Sequence, residues 1–415
     1  MRAFRSDFLN ELASRGYIHQ LSEPEALDEL FLRERVTAYV GFDCTADSLH
    51  VGHLVSIMML RILERTGHRP IALVGGGTTK VGDPSGRDES RQLLSDEQIE
   101  RNKAGIQRSL AKFLDFEKGS TLLLDNAEWL DELKYIPFLR EVGTHFTVNR
   151  MLTFDSVRLR LEREQPLTFL EFNYMIMQAY DFLELSRRYA CRLQMGGSDQ
   201  WGNIVNGIEL ARRIDGRHLF ALTTPLITTA SGQKMGKTAA GAVWLDAERL
   251  PPFDYYQFWR NTEDGDVGRF LRLFTELPLA EIERLEKLQG AELNEAKKVL
   301  AFEATALCHG REEAAKAKAA AEALFERKGG ALEGLPVVEL DRDRLAEGIP
   351  VIELFQLAGL VPSNSEARRL VRARGARINN RLVEDETMTV DLGALEGGAL
   401  ELSAGKKRHV LVKPV

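Results

Sequence analysis

Two histidines and a glycine stand where a predicted strand, Val36 to Phe42, gives way to a predicted helix beginning at about Leu49, in the run His50-Val51-Gly52-His53. The amino end of a helix carries partial positive charge and unpaired N–H groups, so it attracts anions and disfavours protonated histidine. A neutral imidazole can still donate a hydrogen bond to phosphate, and the bare glycine backbone lets a flat ring such as a purine approach. The run therefore predicts a polyphosphate site, with an ordinary polar helix cap as the alternative.

A second glycine-rich segment, Gly75 to Gly86, follows another predicted strand. It matches neither common nucleotide fingerprint, because Lys80 occupies the sixth position of G-x-G-x-x-G and no Gly-Lys-Ser/Thr follows. A Rossmann dehydrogenase and a P-loop ATPase are therefore disfavoured. Asp83 in this segment could accept hydrogen bonds from a substrate ammonium group; a turn-forming Asp-Pro pair is the alternative.

A predicted helix from Phe172 to Leu185 carries a polar stripe on an otherwise apolar surface. Tyr174, Gln178 and Asp181 recur at i, i+4 and i+7, so they share one face. Because buried polar groups without partners each cost about 1–3 kcal/mol, the stripe either pairs internally or faces a cavity that a polar ligand fills. We favour the ligand.

Two more segments could contribute to a nucleotide site. Asp199 and Gln200 follow a strand and a glycine turn, where they could reach ribose hydroxyls and a bound substrate. Further along, Lys234-Met235-Gly236-Lys237-Thr238 lies in a polar stretch that is typical of a mobile surface loop. Two lysines in such a loop are usually only solvated, but together with the upstream His-Val-Gly-His run they indicate a second phosphate-binding element.

The bulk composition sets broad limits. A chain of 415 residues with 44% apolar residues and a net charge of −7 predicts two to three domains, and any nucleic-acid binding must come from local basic patches. No apolar run is long enough for a membrane span and the amino terminus does not resemble a secretory signal, so a cytoplasmic enzyme is predicted. Three widely spaced cysteines argue against a disulfide framework or structural zinc. A metal at Asp43, Cys44, His50 and His53 is the alternative, but no second ligand cluster supports it, and no metal site is predicted.

The pattern along the chain predicts an α/β protein with three folded parts. Residues 1–245 alternate strands with helices, which predicts a Rossmann-like parallel sheet with ligands bound at the carboxyl ends of its strands. Residues 246–328 lack strand signals and are predicted to form an all-helical domain. A glycine- and proline-marked linker, 329–350, is predicted to lead to a small α+β domain, 351–415.

The last domain contains a basic segment. Ser363 to Glu366 reads as a capping box that starts a short helix, Gly375 as its end, and the following residues as strand, turn and strand. No acidic residue interrupts the stretch 368–381, and six arginines predict a phosphate-binding surface there: Arg368, Arg369, Arg372, Arg374, Arg377 and Arg381. Lys406, Lys407 and Arg408 would extend it. A merely solvated charged face is the alternative.

Taken in order, these motifs resemble a known family. His50 to His53 and Lys234 to Thr238 resemble the two signatures of class I aminoacyl-tRNA synthetases. Five further segments resemble the bacterial tyrosyl-tRNA synthetases: Tyr39-Val-Gly-Phe-Asp43, Ala46-Asp-Ser-Leu-His50, Gly82-Asp-Pro-Ser-Gly86, Tyr174 to Asp181, and Gly196-Gly-Ser-Asp-Gln-Trp-Gly202. The likeness covers essentially the whole chain, and residues 351–415 resemble an S4-type RNA-binding domain.

The resemblance implies a two-step reaction. L-Tyrosine would be activated by ATP, present as its Mg²⁺ complex, to tyrosyl-adenylate and pyrophosphate, and then transferred to the terminal ribose of tRNA(Tyr). It further implies a helical domain that contacts the anticodon region, a homodimer, and no protein-bound metal or prosthetic group. A synthetase for another aromatic amino acid, such as tryptophan, and a non-catalytic RNA-binding protein with the same fold are the alternatives.

Roles for single residues also follow only from the resemblance. Tyr39 and Asp181 would hold the substrate phenol. The ammonium group and the rest of the amino acid would contact Asp83, Tyr174, Gln178 and Gln200. ATP would contact His50, Gly52, His53, Asp199 and Lys237. The departing pyrophosphate would be stabilised by Thr45 and His50, with His53 close by, and by four cationic side chains that close over it: Arg87, Arg91, Lys234 and Lys237.

Overall fold

The computed structural model describes residues 4–85, 93–117, 119–232, 235–238, 241–326, 335–379, 381–405 and 408–415. Five residues with predicted roles lie outside these ranges: Arg87, Arg91, Lys234, Lys406 and Lys407. The backbone of Lys237 is described, but its side chain is not. The roles of these residues stay predictions.

The first of two compact units comprises Met1–Asp246 and Glu263–Gln289. Its strands are β1 Gln20–Leu21, β2 Thr37–Asp43, β3 Arg69–Gly75, β4 Leu122–Asp125, β5 Cys191–Gly197, β6 Phe220–Thr224, β7 Lys237–Thr238 and β8 Gly241–Ala242. Its helices are α1 Asp7–Arg15, α2 Pro24–Arg33, α3 Leu54–Arg65, α4 Asp96–Ala111, α5 Ala127–Leu130, α6 Tyr135–Glu141, α7 Val148–Met151, α8 Asp155–Glu162, α9 Phe169–Phe172, α10 Tyr174–Tyr189, α11 Trp201–Asp215, α13 Val267–Phe274 and α14 Leu279–Glu286.

Six strands form one sheet in the order β1-β6-β5-β2-β3-β4. Five of them run parallel, which confirms the predicted sheet, while the short edge strand β1 pairs antiparallel with β6. The central strand β2 is followed in sequence by β3 on one side and flanked by β5 on the other, so the connections diverge at its carboxyl end. Open α/β sheets bind their ligands at such a position.

Residues 263–289 pack with the first unit, although the sequence placed them in a separate helical domain. The buried guanidinium of Arg15 donates hydrogen bonds to three backbone carbonyls, those of Arg272, Thr275 and Leu277. The Tyr17 hydroxyl donates to the Leu273 carbonyl at 2.5 Å. These side chains satisfy backbone carbonyls in the last turn of α13 and in the residues that follow the helix. The bounds of the helical domain therefore differ from those predicted.

The second unit comprises Ala247–Thr262 and Gly290–Val415. Its helices are α12 Pro252–Arg260, α15 Leu293–His309, α16 Arg311–Glu326, α17 Arg342–Glu347, α18 Val351–Leu357 and α19 Asn364–Arg372. Its strands are β9 Val337–Leu340, β10 Ile349–Pro350, β11 Ala376–Ile378, β12 Arg381–Leu382, β13 Thr389–Val390, β14 Leu400–Ala404 and β15 Arg408–Pro414. None of the helices in the described ranges combines the length and the apolarity needed to cross a membrane.

A five-stranded sheet, ordered β12-β11-β14-β15-β9, forms the core of the carboxyl-terminal part. Because β9 pairs parallel with β15, and β10 pairs with β13, most of the predicted linker is folded into this part. Helix α19 begins as predicted, with the Ser363 hydroxyl accepting from the Glu366 N–H at 3.3 Å. It ends earlier than predicted: the left-handed residue is Arg374, at φ 57°, and not Gly375.

Candidate active site and RNA-binding surface

The His-Val-Gly-His run lies at the carboxyl end of β2, as predicted, but it begins the helix with a 3₁₀ turn, Val51–His53, and α3 follows. His50 Nδ1 accepts from the Gly52 N–H at 3.1 Å, and the His50 N–H donates to His53 Nδ1 at 3.2 Å. The two rings lie 4.1 Å apart between centroids. A Cβ on Gly52 would come within 2.7 Å of the His50 ring, so this turn requires glycine.

His53 is held in its neutral form. Burial lowers its pKa to about 3, and the neighbouring His50 contributes in the same direction. Because Nδ1 accepts a backbone hydrogen bond, the ring proton is on Nε2 and can be donated to an anion. A neutral donor suits the amino end of a helix, which disfavours imidazolium.

This pKa predicts acid-sensitive stability. Below the ordinary histidine pKa of about 6.5, the unfolded chain binds a proton at His53 that the folded chain does not bind, so stability falls as pH falls, by up to about 1.4 kcal/mol per pH unit. His53→Asn should remove this part of the slope between pH 6.5 and 5, as measured by urea unfolding. The exposed His218 provides the matched variant, His218→Asn. Equal slopes for the wild type and His53→Asn would contradict the assignment.

The second signature packs against the first. The Met235 carbonyl lies 3.3 Å from the position of a Cβ on Gly52, and the Gly236 carbonyl accepts from the Val243 N–H at 3.1 Å. The Val51 N–H in turn donates to the Val243 carbonyl at 2.9 Å. Backbone hydrogen bonds thus bring together two motifs that are far apart in the sequence.

Two other residues with predicted nucleotide roles lie nearby in the fold. Thr45 follows β2, is exposed, and donates its backbone N–H to the Asp43 carbonyl at 2.9 Å. Asp199 is exposed in a 3₁₀ turn, Ser198–Gln200, directly after β5. Both lie at the carboxyl edge of the sheet. Their contacts with a nucleotide stay predictions.

The predicted ammonium-binding residues take part in two groups of hydrogen bonds. Gln200 Nε2 donates to the Asp83 carboxylate at 3.0 Å, and Gln178 Nε2 donates to Gln200 Oε1 at 3.2 Å. The Tyr174 hydroxyl donates to Asp43 Oδ2 at 3.1 Å. Burial raises the pKa of Tyr174 well above its usual value, and the carboxylates of Asp43 and Asp83 raise it further. Binding of an ammonium group by these residues stays a prediction.

Asp181 and Tyr39 are buried together. Asp181 is 2% exposed, and its two oxygens accept from Asn126 Nδ2 at 2.9 Å and Trp129 Nε1 at 2.7 Å. Burial raises the pKa of Asp181, whereas the hydrogen bonds from Asn126 and Trp129 lower it and favour the ionised carboxylate. Burial, followed by the charge of Asp181, raises the pKa of Tyr39. Within the described residues the buried Tyr39 hydroxyl has no hydrogen-bond partner.

Sequence reasoning missed Asn126 and Trp129, and it named Asp43 only as an alternative metal ligand and as part of the Tyr39-Val-Gly-Phe-Asp43 motif. Asn126 follows β4 and joins Asp181 to the glycine-rich segment, because its Oδ1 accepts from the Gly77 N–H at 2.8 Å and its Nδ2 also donates to Thr78 Oγ1 at 3.0 Å. Their positions at or just after the carboxyl ends of β2 and β4 were the sequence signal that could have identified them. The stripe on α10 is thus paired internally, and its contacts with a ligand stay a prediction.

No group of three or more His, Cys, Asp or Glu side chains in the described ranges is arranged to hold a metal ion. All three cysteines, Cys44, Cys191 and Cys308, are buried and free.

The arginine surface in the second unit has counter-charges that the sequence did not reveal. Four of the arginines, with side chains 70 to 86% exposed, form ion pairs with glutamates outside the 368–381 stretch. The pairs are Arg369–Glu366, Arg372–Glu386, Arg374–Glu384 and Arg381–Glu396. Exposed pairs of this kind are each worth about 0–1 kcal/mol, so phosphates could displace the glutamates. The predicted RNA-binding role stays a prediction.

Residues 32–326 match the family described as tRNA synthetases class I (W and Y). The chain belongs to this family. The synthetase is 64% identical to the tyrosine–tRNA ligase of Xanthobacter autotrophicus, over 100% of this chain and 99% of the relative. It is 61% identical to the tyrosine–tRNA ligase of Rhodopseudomonas palustris, over 100% of both chains. The family predicted from the sequence motifs is thereby confirmed.

Solved structures support the fold of the synthetase. A C-terminally truncated mitochondrial tyrosyl-tRNA synthetase from Aspergillus nidulans superposes with a TM-score of 0.70 at 32% identity, covering 77% of this chain and 95% of that one. The tyrosyl-tRNA synthetase of Archaeoglobus fulgidus, complexed with L-tyrosine, gives a TM-score of 0.55 at 18% identity, covering 74% and 99%. The second likeness concerns the fold alone.

Proposed function

We propose that this synthetase activates L-tyrosine with ATP and transfers it to the terminal ribose of tRNA(Tyr). The observation that carries the choice of amino acid is the buried pair of Tyr39 and Asp181. A phenol hydroxyl both donates and accepts, so it can satisfy a carboxylate and a second hydroxyl together, whereas an indole N–H only donates. The names of the full-length relatives support the same choice.

The rest of the pocket suits an amino acid bound by its ammonium group. We assign this group to Asp83, Tyr174 and Gln178, with Gln200 lying against the substrate. Hydrogen bonds among Asp83, Gln178 and Gln200, and one from Tyr174 to Asp43, hold these side chains in place before the substrate arrives. Such preorganisation lowers the cost of ordering side chains on binding.

The first step needs no protein nucleophile. A carboxylate oxygen of tyrosine attacks the α-phosphorus of ATP, the bond to the bridging oxygen breaks, and pyrophosphate leaves with that electron pair. The protein contributes positioning and stabilisation of the departing charge. His50, Gly52, His53 and Asp199 are assigned to ATP, supplied as its Mg²⁺ complex. Thr45, His50, Arg87, Arg91, Lys234 and Lys237 are assigned to the pyrophosphate.

The full reaction is tested by charging bacterial tRNA with labelled tyrosine, phenylalanine or tryptophan in the presence of ATP and Mg²⁺. We expect acid-precipitable label with tyrosine alone. Charging with tryptophan instead would overturn the substrate assignment. Adenylate formation without charging of any tRNA would overturn the second step.

We further propose that the synthetase is a homodimer. Large exposed apolar surfaces on a protein favour contact with another protein. The segment from α6 to α9 exposes several large apolar side chains: Tyr135, Ile136, Val148, Leu152, Leu159, Leu161, Phe169 and Leu170. A second copy of the chain would bury them.

Phe169→Glu is expected to shift the dimer to the monomer, because Phe169 is 70% exposed and a second copy would have to bury the new charge. Sedimentation velocity at micromolar concentration checks this expectation. Leu226→Glu, at an exposed leucine outside the α6 to α9 segment, is the matched control. A wild-type chain that sediments as a monomer would contradict the proposal.

Removal of the RNA-binding part should separate the two reaction steps. Because β9 belongs to the carboxyl-terminal sheet, the cut should fall between α16 and β9, so that no unpaired strand remains. Deleting 335–415 is expected to weaken tRNA charging by at least about tenfold and to reduce its salt dependence, while pyrophosphate exchange is spared. Equal loss of both activities in a folded truncated chain would show a structural role instead.

A further inference from the structure

Thr228 to Ser231, which we call the loop stem, precede the second signature. One stretch of the first unit, Glu263 to Arg269, holds this stem through side-chain contacts. Sequence reasoning described the loop stem only as part of a polar, mobile surface loop, and it did not single out Glu263 to Arg269. None of the residues that make these contacts is assigned to the binding of tyrosine or ATP.

Asp266 is the centre of these contacts. Its carboxylate is 3% exposed and accepts from the Ala230 N–H at 2.7 Å through Oδ2 and from Arg269 Nη2 at 2.6 Å through Oδ1. Arg269 Nη2 also donates to the Thr228 carbonyl. The Ser231 hydroxyl donates to Glu263 Oε1 at 2.7 Å. A buried carboxylate and a guanidinium together fix the backbone of the stem at two points, since charge-assisted hydrogen bonds are the stronger ones.

The other side of the loop contacts the first signature, His50 to His53. The Met235 N–H donates to the Ile227 carbonyl at 2.9 Å, which closes the base of the loop. The Cβ that Gly236 lacks would lie 2.8 Å from the Gly52 nitrogen, at a φ of 95°. The backbone of Met235 and Gly236 can therefore approach Gly52 only along a narrowly defined path. The loop stem begins directly after Ile227, the residue to which Met235 is hydrogen-bonded.

We propose that Asp266 and Arg269 are positioning residues for the second signature: they hold the loop stem so that Met235 and Gly236 pack on Gly52. The proposal rests on the proposed function, because the ATP step is where its effect is measured. Neither residue touches the tyrosine pocket among the described contacts. Loss of either should therefore affect the use of ATP and leave tyrosine binding intact.

The test uses the full chain with Asp266→Ala, Arg269→Gln, the double variant, and Arg284→Gln as control. Arg284 lies in α14 of the same unit and pairs with Glu281, and none of the described contacts joins it to the loop stem. We expect kcat/KM for ATP in pyrophosphate exchange to fall at least about tenfold in each single variant, with KM for tyrosine within about twofold of wild type. The double variant should lose less than the product of the single losses.

A second readout does not depend on activity. Hydrogen–deuterium exchange of peptides that contain Ala230 should speed up in Asp266→Ala and Arg269→Gln and stay unchanged in Arg284→Gln. Unchanged ATP kinetics in both single variants would overturn the proposal. So would an equal fall in the active fraction with both KM values intact, which indicates a purely structural role. A wild-type chain without exchange activity would instead overturn the proposed function.

Discussion

Asp181→Ala is expected to abolish the preference for tyrosine over phenylalanine in pyrophosphate exchange. Asp181 is buried, and Asn126 and Trp129 aim its two oxygens, so it can accept a phenol hydroxyl at little cost of reorganisation. A site built for a hydroxyl rejects phenylalanine because its own polar groups would be left unpaired. For an enzyme of this family that selectivity is roughly 10⁵-fold, a known value and not one derived from this structure.

The variant should lose most of this ratio through a fall in kcat/KM for tyrosine, while kcat/KM for phenylalanine changes little or rises. Asp215→Ala is the matched control, because Asp215 pairs with Arg187 on α10 and not with a pocket residue. Circular dichroism checks that both variants fold. An unchanged tyrosine-to-phenylalanine ratio in folded Asp181→Ala would rule out the phenol assignment.

Gly52→Ala is expected to slow pyrophosphate exchange by about 10²-fold or more, since a displacement of about 1 Å at a reacting centre can cost that much. The added methyl group would meet two atoms of the His50 ring at 2.7 and 2.9 Å and the Met235 carbonyl at 3.3 Å. The ring would have to turn away or the second signature would have to retreat. Either shift removes groups assigned to ATP.

The measurement is exchange kinetics with ATP varied at saturating tyrosine, together with tyrosine binding in the absence of ATP. Binding of tyrosine should be unaffected, because the residues assigned to the tyrosine pocket do not include Gly52, His50 or Met235. Gly143→Ala is the control, since its Cβ would make only an ordinary contact at 3.5 Å, with Leu139. Normal ATP kinetics in Gly52→Ala would show that the close approach of the two signatures is not needed.

The sequence predicted the parts of the site that depend on local pattern. Alternating strands and helices gave the parallel sheet, and the site residues were placed at strand ends, where the structure has them. The i, i+4, i+7 spacing correctly put Tyr174, Gln178 and Asp181 on one side of α10. These features follow from backbone geometry that is repeated every turn or every second residue.

What the sequence could not give depends on pairing between distant segments. Asn126 and Trp129 lie after a short strand with no periodic signal, and only the register of β3 and β4 brings them to Asp181. The strand β9 was read as linker because its partner, β15, comes some seventy residues later. The arginine stretch looked unpaired because its glutamates come from other segments.

The most direct test of the account is amino-acid-dependent ATP–pyrophosphate exchange without tRNA, comparing tyrosine, phenylalanine and tryptophan on the wild-type chain. Exchange with tyrosine alone is predicted, because only tyrosine satisfies both Tyr39 and Asp181. Exchange with tryptophan or phenylalanine at a comparable kcat/KM would contradict the reading of the pocket.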